Sequence, residues 1–349
     1  MKILHAADLH LDTPFTDRSP ALGRELLKVP GLLADICRRE KCDMMLLAGD
    51  LFDGAWTAQS LDMLRSALAE AEVPVFISPG NHDFCGADSP YLSENWPENV
   101  HIFTQPAISS VALESLDCRV YGAGFRSMDC DSLMENFTAQ GDEKFHIAVL
   151  HGDPTQLGSP YNPITAAQIR ESGLHYLALG HIHKTGSLRC GKTLCAWPGC
   201  PMGRGWDETG VKGVLLVTVD DTAQAQFLPL DLPQHHDLEI PGEGAENALA
   251  ALLPAVGNDD HYRITLVGEA PKPDLEALGT AFAHFPNLEL RDRTTPEVDI
   301  WGSADGDSLE GVYFRLLKEA ANQDDTRDIA TLAAKISRKI LDGQEVALP

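Results

Sequence analysis

Five short motifs rich in aspartate, histidine and asparagine follow apolar runs in the first 183 residues of the chain. They are Asp8-Leu9-His10, Gly49-Asp50-Leu51-Phe52-Asp53, Gly80-Asn81-His82-Asp83, Leu150-His151-Gly152 and Gly180-His181-Ile182-His183. Mixed nitrogen and oxygen donors suit borderline divalent metals such as Mn, Fe or Zn better than Ca or Mg, which favour oxygen ligands. Two such ions roughly 3.5–4 Å apart can generate a hydroxide and neutralise the charge of a phosphate. The motifs therefore predict a two-metal hydrolytic centre.

The apolar runs before these motifs are predicted to be buried β-strands. They comprise residues 3–4, 44–48, 75–78, 146–150 and 176–179. In an open α/β sheet, ligands bind beyond the carboxyl ends of the strands, so we expect the motifs to meet at one edge of one sheet. A carboxylate is the natural bridge between two ions there, because its two oxygens can face both of them.

In this order, the five motifs resemble the metal-site signature of calcineurin-like metallophosphoesterases. Within that superfamily, residues 3–12, 198–204 and 343–346 resemble the SbcD-type DNA repair exonucleases, and above all their bacterial YhaO-like branch. The resemblance implies an α/β fold, namely a four-layer α/β/β/α sandwich followed by a small C-terminal α+β capping domain.

The same resemblance implies a role for each matching position. The positions implied for one ion are Asp8, His10, Asp50 and His183, and those for the other ion are Asp50, Asn81, His151 and His181. Asp50 would bridge the two ions. His82 would protonate the leaving oxygen, and Asp53 would orient His82 and favour its charged form. Asp83, in the third motif, could have a structural role instead, as a cap of the segment after the third strand.

The function implied by the resemblance is that of a metal-dependent phosphodiesterase, a hydrolase that cuts DNA as an exonuclease or endonuclease in DNA repair. A metal-bound hydroxide would attack in line, and His82 would act as the general acid. The implied cofactors are two divalent ions, with Mn favoured over Fe or Zn. The implied partners are DNA, an SbcC-like coiled-coil ATPase subunit and a second copy of the chain.

Other functions remain open on the motifs alone. A phosphatase or a small-molecule phosphodiesterase of the same superfamily would carry the same motifs. A non-catalytic scaffold is disfavoured, because a decayed site is expected to lack at least one ligand. A lipid-precursor pyrophosphatase acting at membranes is disfavoured by the lack of a basic amphipathic helix in the sequence.

The composition of the 349 residues constrains the partners and the compartment. The net charge is −25, with 27 basic against 52 acidic residues, whereas proteins that bind nucleic acid unaided usually have a basic patch. Bound metals or a partner subunit could attract a polyanion, or the acidity only favours solubility. The eight cysteines form no CxxC pair, and neither a signal region nor a membrane-spanning run is found. We therefore expect a cytoplasmic protein with free thiols and no membrane contact.

The pattern of apolar residues predicts three regions. They are a metallophosphoesterase domain over 1–232, a βαβαβ capping domain over 233–303, and C-terminal helices over 304–349 that form a candidate partner-docking segment. In the first region we expect a helix over 58–71, and a second sheet from the short strands at 102–103, 111–113 and 120–122. The apolar face of the last helix could pack internally or dock a partner.

Two further polar features are interpreted more simply. Arg204 could contact phosphate, although pairing with one of the many acids is favoured. His235 and His236 lie at the predicted domain junction and are expected to form a solvated loop.

Overall fold

The computed structural model describes residues 1–14, 20–296 and 299–343. The chain divides into two compact units, Met1–His236 and Asp237–Pro349. Of the stretch 343–346 that carries part of the resemblance, residues 344–346 lie outside the described residues, as does the end of the predicted region 304–349. None of the helices in the described ranges is long and apolar enough to cross a membrane.

Both units contain strands and helices. The strands are β1 (Lys2–Ala6), β2 (Met44–Leu47), β3 (Val75–Ile77), β4 (Val100–Ile102), β5 (Ser109–Leu113), β6 (Cys118–Gly122), β7 (Phe145–His151), β8 (Tyr176–Gly180), β9 (Gly186–Cys190), β10 (Thr193–Trp197), β11 (Gly213–Val219), β12 (Ala223–Pro229), β13 (His235–Pro241), β14 (His261–Glu269) and β15 (Leu288–Thr295). The helices are α1 (Pro20–Leu26), α2 (Val29–Glu40), α3 (Ala58–Glu70), α4 (Pro90–Ser93), α5 (Ala166–Glu171), α6 (Ala245–Leu252), α7 (Leu275–Ala281), α8 (Leu309–Ala321) and α9 (Arg327–Leu341). A short 3₁₀ helix covers Glu114–Leu116.

Two mixed sheets of six strands each are formed by the described residues of the first unit. The order of the first sheet is β12-β11-β1-β2-β3-β4, in which β1 to β4 are parallel and β11 and β12 are antiparallel. The order of the second is β5-β6-β7-β8-β10-β9, with antiparallel strands at both edges. The predicted α/β class is thus confirmed, with mixed sheets.

Alternate side chains of β2 show how the layers are stacked. Met45 and Leu47 pack into a core with α2 and α3, whereas Met44 and Leu46 pack against the second sheet. All four are fully buried, as expected for a parallel strand that is covered on both faces. The other face of the second sheet packs against α5 through Ile169. The first unit is therefore layered as helices, sheet, sheet and helix.

The strands that carry the five motifs belong to different sheets. β1, β2 and β3 lie in the first sheet, whereas β7 and β8 lie in the second. The prediction that the motifs meet at one edge of one sheet is therefore wrong, and they meet between two sheet edges. Gly180 permits this approach, because a β-carbon there would overlap the carbonyl oxygen of Ala48. The assignment of 102–103 to the second sheet is also wrong, since β4 extends the first sheet.

The second unit has a small hydrophobic core of its own. β13, β14 and β15 form a three-stranded sheet in that order, and β14 and β15 are parallel. Leu249 of α6 packs with Ile264 and Phe285 on one face of this sheet. Phe314 of α8 and Ala334 of α9 share a smaller buried cluster. A capping role for this unit stays a prediction.

Candidate dimetal centre

Tight turns after the first two strands direct the side chains of Asp8, His10 and Asp50 into the centre. Their φ angles are +54°, +46° and +51°, in the left-handed region that residues other than glycine seldom adopt. The turns are tied together, because the backbone N–H of His10 donates to the carbonyl oxygen of Asp50 at 2.9 Å. Backbone strain of this kind concentrates at functional sites. The strained turns thus place both motifs where the sheets meet.

Two imidazoles, those of His10 and His183, face each other across one half of the centre. Their Nε2 atoms are 3.1 Å apart. The Nδ1 atom of His10 lies 3.3 Å from Oδ1 of Asp53, and the Nδ1 atom of His183 lies 2.6 Å from Oε1 of Glu208. A carboxylate beside Nδ1 favours the proton on that nitrogen, which leaves a lone pair on each Nε2. Two lone pairs turned toward one point repel each other unless a cation lies between them.

A second set of donors repeats this arrangement. Oδ1 of Asn81 lies 2.9 Å from Nε2 of His151 and 3.3 Å from Nδ1 of His181. The Nδ1 atom of His151 donates to the carbonyl oxygen of Ala48 at 2.9 Å, so its Nε2 presents a lone pair to the asparagine oxygen. This half of the centre also fits a cation better than it fits direct hydrogen bonds.

Asp50 lies between the two sets of donors. Its Oδ2 atom is 3.4 Å from Nε2 of His151 and 3.8 Å from Nε2 of His10. Three groups of candidate ligands have donor atoms that all lie within 4.8 Å of one another; they are Asp8, His10 and His183, then His10, Asp50 and His82, then Asp8, Asp50 and His151. The structure therefore brings the seven predicted ligand residues together, and the donor set fits two divalent ions.

Burial of the centre disfavours charge on four of the predicted ligands. It raises the pKa of Asp8 to about 7, and it lowers the pKa values of His10, His151 and His181 to about 4. Neutral imidazoles are the form that binds metal ions. Two buried aspartates, Asp8 and Asp50, are costly without a compensating positive charge. The electrostatics of the site therefore favour bound cations.

His82 differs from these donors because 40% of its side chain is exposed. Its Nδ1 atom donates to Oδ1 of Asp53 at 2.8 Å, and this hydrogen bond raises the pKa of His82 above its ordinary value. Hydrogen bonds from His10 and His82 hold the pKa of Asp53 far below its usual range. The pair therefore favours the protonated form of the imidazole at the accessible side of the centre, which is the form that a general acid requires.

Asp83 braces the loops of the second and third motifs. Its buried carboxylate accepts hydrogen bonds from the backbone N–H groups of Leu51 at 2.6 Å and Gly80 at 2.7 Å, and from the hydroxyl of Tyr91 at 2.6 Å. The backbone N–H of Asp50 donates to it at 3.2 Å. Asp83 therefore holds two candidate ligand loops in register, and through Gly80 it also caps the segment after the third strand.

We expect Asp83→Ala to lower the free energy of unfolding by about 3 kcal/mol, because buried backbone N–H groups and the Tyr91 hydroxyl lose their acceptor. Tyr91→Phe removes one of these hydrogen bonds and should cost about 1 kcal/mol. Urea denaturation of the metal-free proteins measures both, with the exposed Asp88→Ala as the control. An Asp83→Ala protein as stable as the wild type would contradict the bracing role.

Glu208 and Arg204 form a buried pair behind His183. Oε1 of Glu208 accepts from Nδ1 of His183 at 2.6 Å and from Nη2 of Arg204 at 2.8 Å. Nη1 of Arg204 is 3.8 Å from Oδ2 of Asp53. The interpretation that Arg204 pairs with an acid is confirmed. Glu208 escaped the sequence analysis because an acid four residues after an arginine carries no specific signal.

Glu208→Gln should weaken the binding of Mn²⁺ by roughly 10- to 100-fold, the usual effect of losing a carboxylate that orients a metal-ligating histidine. Calorimetric titration of the metal-free protein measures the change. Glu98→Gln, at an exposed position of the same unit, is the matched control. Equal Mn²⁺ affinity in the Glu208 variant and the wild type would rule out this orienting role.

The histidines outside the motifs have structural partners. The ring of His5 is fully buried and bonds to the hydroxyl of Tyr176 at 2.7 Å and to the carbonyl oxygen of Leu179 at 3.1 Å. The expectation of a solvated loop at 235–236 is wrong, because His235 is buried at the start of β13. Its ring packs edge-on against Trp206 at 5.1 Å between ring centroids.

Known proteins share parts of this sequence and fold. Residues 1–185 match the family model described as calcineurin-like phosphoesterase. The chain is 36% identical over 238 residues to a Bacillus subtilis protein named uncharacterized metallophosphoesterase YhaO, an alignment that covers 63% of this chain and 57% of that protein. It is 27% identical over 271 residues to the SbcD component of the nuclease SbcCD of the same organism, covering 65% of this chain and 68% of that protein. A crystal structure of a dimetal phosphatase from Danio rerio aligns with a TM-score of 0.43 and 12% identity, covering 63% of this chain and 92% of that one.

Proposed function

Because this chain belongs to the calcineurin-like phosphoesterase family and is a metal-dependent phosphoesterase with a His/Asp site, we propose that its substrate is a phosphodiester of DNA. The observation that carries the proposal is the buried donor cluster beside one accessible imidazole that is hydrogen-bonded to a carboxylate. With divalent ions bound, the positive charge of the cluster would suit an anionic phosphodiester, and His82 would supply the proton that an alkoxide leaving group needs. The class of reaction is hydrolysis.

We propose that the two predicted donor sets hold the ions. One set is Asp8, His10, Asp50 and His183, and the other is Asp50, Asn81, His151 and His181. Two divalent ions, for which we propose Mn²⁺, would supply a nucleophile near neutral pH and neutralise phosphate charge. The nitrogen-rich donor set disfavours Ca²⁺ and Mg²⁺.

The protein's own residues would perform the remaining steps. His82, anchored through Nδ1, would give the proton on its Nε2 atom to the leaving oxygen. Asp53 would keep that ring charged and oriented through the 2.8 Å hydrogen bond to Nδ1. Glu208 would fix the orientation of His183, while Arg204 links Glu208 to Asp53.

Support for a nuclease, as opposed to another phosphoesterase, comes from similarity to a protein named as a component of the SbcCD nuclease. The last two helices add a second argument. Leu309 of α8 and Ile329 and Ile340 of α9 are 88%, 73% and 61% exposed, while Ala330 and Ala334 pack inward. We propose that these exposed side chains dock an SbcC-like coiled-coil ATPase subunit, which would supply affinity for DNA. A homodimer and a capping role for 233–303 also remain proposals.

A nuclease assay on end-labelled linear DNA tests the proposal, with Mn²⁺ or chelator and with the partner ATPase absent or present. Bis(p-nitrophenyl) phosphate is the parallel substrate. We expect cleavage of both substrates to require metal and Asp50. If only the aryl ester is cleaved, even with the partner present, the small-molecule phosphodiesterase becomes the better description. Cleavage of neither substrate would favour the non-catalytic scaffold.

A further inference from the structure

A depression with a volume of about 820 Å³ opens beside the candidate metal centre in the first unit. It shares His183 with that centre, so a molecule in the depression lies next to anything held by His183. The volume falls within the usual range of small-ligand sites, roughly 300–1,000 Å³. The depression can therefore hold the part of a substrate that adjoins the scissile phosphate.

Two lysines give this depression a local positive charge. Lys184 and Lys212 both line it, and within the described ranges neither is paired with a carboxylate. The Nζ atom of Lys212 donates to the carbonyl oxygen of His183 at 3.3 Å, which holds the ammonium close to the candidate ligand. Of the two carboxylates in the lining, that of Glu208 is already paired with the guanidinium of Arg204 and accepts a hydrogen bond from His183. Asp207 alone opposes the two lysines, in a chain whose net charge is −25.

Apolar side chains complete the lining. Ile182, Val211 and Phe227 lie in the same depression, and 57% of Val211 is exposed. Ammonium groups bind phosphate oxygens, whereas an apolar and aromatic wall accommodates a nucleobase by packing and stacking. A simple phosphate monoester would leave this lining unused, and an aryl ester would leave both ammonium groups without a second phosphate.

We propose that the depression lined by Lys184, Lys212, Val211 and Phe227 is a nucleotide subsite, which binds the nucleoside and flanking phosphate next to the scissile bond. The inference rests on the proposed function and names the substrate class of the same centre. It predicts that the enzyme selects esters that carry a nucleoside over esters of the same leaving group that lack one.

Three chromogenic substrates with the same leaving group isolate this subsite. Thymidine p-nitrophenyl phosphate that carries a second phosphate on its other hydroxyl, as the 5′ and 3′ isomers, is compared with bis(p-nitrophenyl) phosphate, and the ratio of their kcat/KM values is measured. We expect the wild type to prefer at least one nucleoside isomer by about tenfold or more, since hydrogen bonds to charged groups are worth that much. Removing Lys184 and Lys212 by a double alanine substitution should lower the ratio toward one, mainly by raising KM for the nucleoside ester.

Substitutions at other lining positions should move the same ratio in opposite directions. Val211→Asp adds a negative charge at an exposed position and should lower the ratio, while Asp207→Asn removes one and should raise it. Lys192→Ala, at the exposed turn between β9 and β10, is the control and should leave the ratio unchanged.

The outcomes separate the subsite from the nuclease proposal. A wild type without preference for either isomer, or lining variants that keep the wild-type ratio, would overturn the subsite, whether or not DNA is cut. A nucleoside preference that depends on the lysines would support the subsite. If the wild type shows that preference and still leaves DNA intact with its partner present, the DNA substrate is wrong and the subsite stands.

Discussion

Asp50→Ala is expected to lose at least one bound metal ion and to lower phosphodiester hydrolysis by roughly 10³-fold or more, since charge stabilisation by metal ions is worth several kcal/mol. The reason lies in the position of the carboxylate. Its Oδ2 atom lies 3.4 Å from His151 and 3.8 Å from His10, which belong to different donor sets. Its Oδ1 atom accepts the backbone N–H of His82 at 2.9 Å. Removing this side chain therefore takes a candidate ligand away from both donor sets of the centre.

Elemental analysis after dialysis and a kcat/KM measurement with the aryl diester check this prediction together. Asp221→Ala, on the exposed turn between β11 and β12, is the matched control and should keep both metals and full activity. Asp50→Asn retains one oxygen and should fall between the alanine variant and the wild type. Full metal content in the Asp50→Ala protein would exclude a bridging position.

The candidate site is predictable from the sequence because its residues mark the ends of strands. A strand such as β2 is buried on both faces and so consists of apolar residues alone, and the first polar residues after it stand out. The side chains of Asp8, Asp50, Asn81 and His181 all lie within four residues of such a run. Local sequence therefore identifies both the strands and the donors at their ends.

The partition of the motifs between two sheets cannot be predicted in the same way. The apolar pattern of β7 is like that of β2, and nothing in either run states which strand it will pair with. Pairing is decided by packing across the whole unit, where close approaches such as that of Gly180 to Ala48 become available. The donors at the ends of β2 and β7 therefore meet through the packing of two sheets, which the apolar pattern of the sequence does not predict.

Residues that act through tertiary contacts alone escape sequence analysis for a related reason. Tyr91 and Glu208 carry no motif, and each is recognised only by the buried carboxylate or imidazole that it contacts. The position of His235 at the predicted domain junction suggests a loop, whereas the burial of its ring against Trp206 is a property of the folded chain. Sequence thus predicts the ligands better than the residues that orient them.

His82→Ala should keep its metal ions and lose about 10²- to 10⁴-fold in kcat on DNA, the usual contribution of a general acid. The metal ions are expected to stay because the group that supports Asp50 is the backbone N–H of residue 82, which alanine retains. The loss should be small on bis(p-nitrophenyl) phosphate, whose leaving group departs without a proton. Asp53→Asn should show the same selectivity for the DNA substrate with a smaller loss, because it weakens the hold on the ring without removing it.

The contrast between the two substrates decides the role of His82, because its ring also lies within 4.8 Å of candidate ligand atoms of His10 and Asp50. A metal ligand at this position would lower the metal content and the rates on both substrates by similar factors. A general acid lowers only the rate at which a poor leaving group departs. If the rates on DNA and on the aryl ester fall equally and metal is missing, His82 is a metal ligand and not the proton donor. Retained metal and a selective loss on DNA would establish it as the acid, held in place by Asp53.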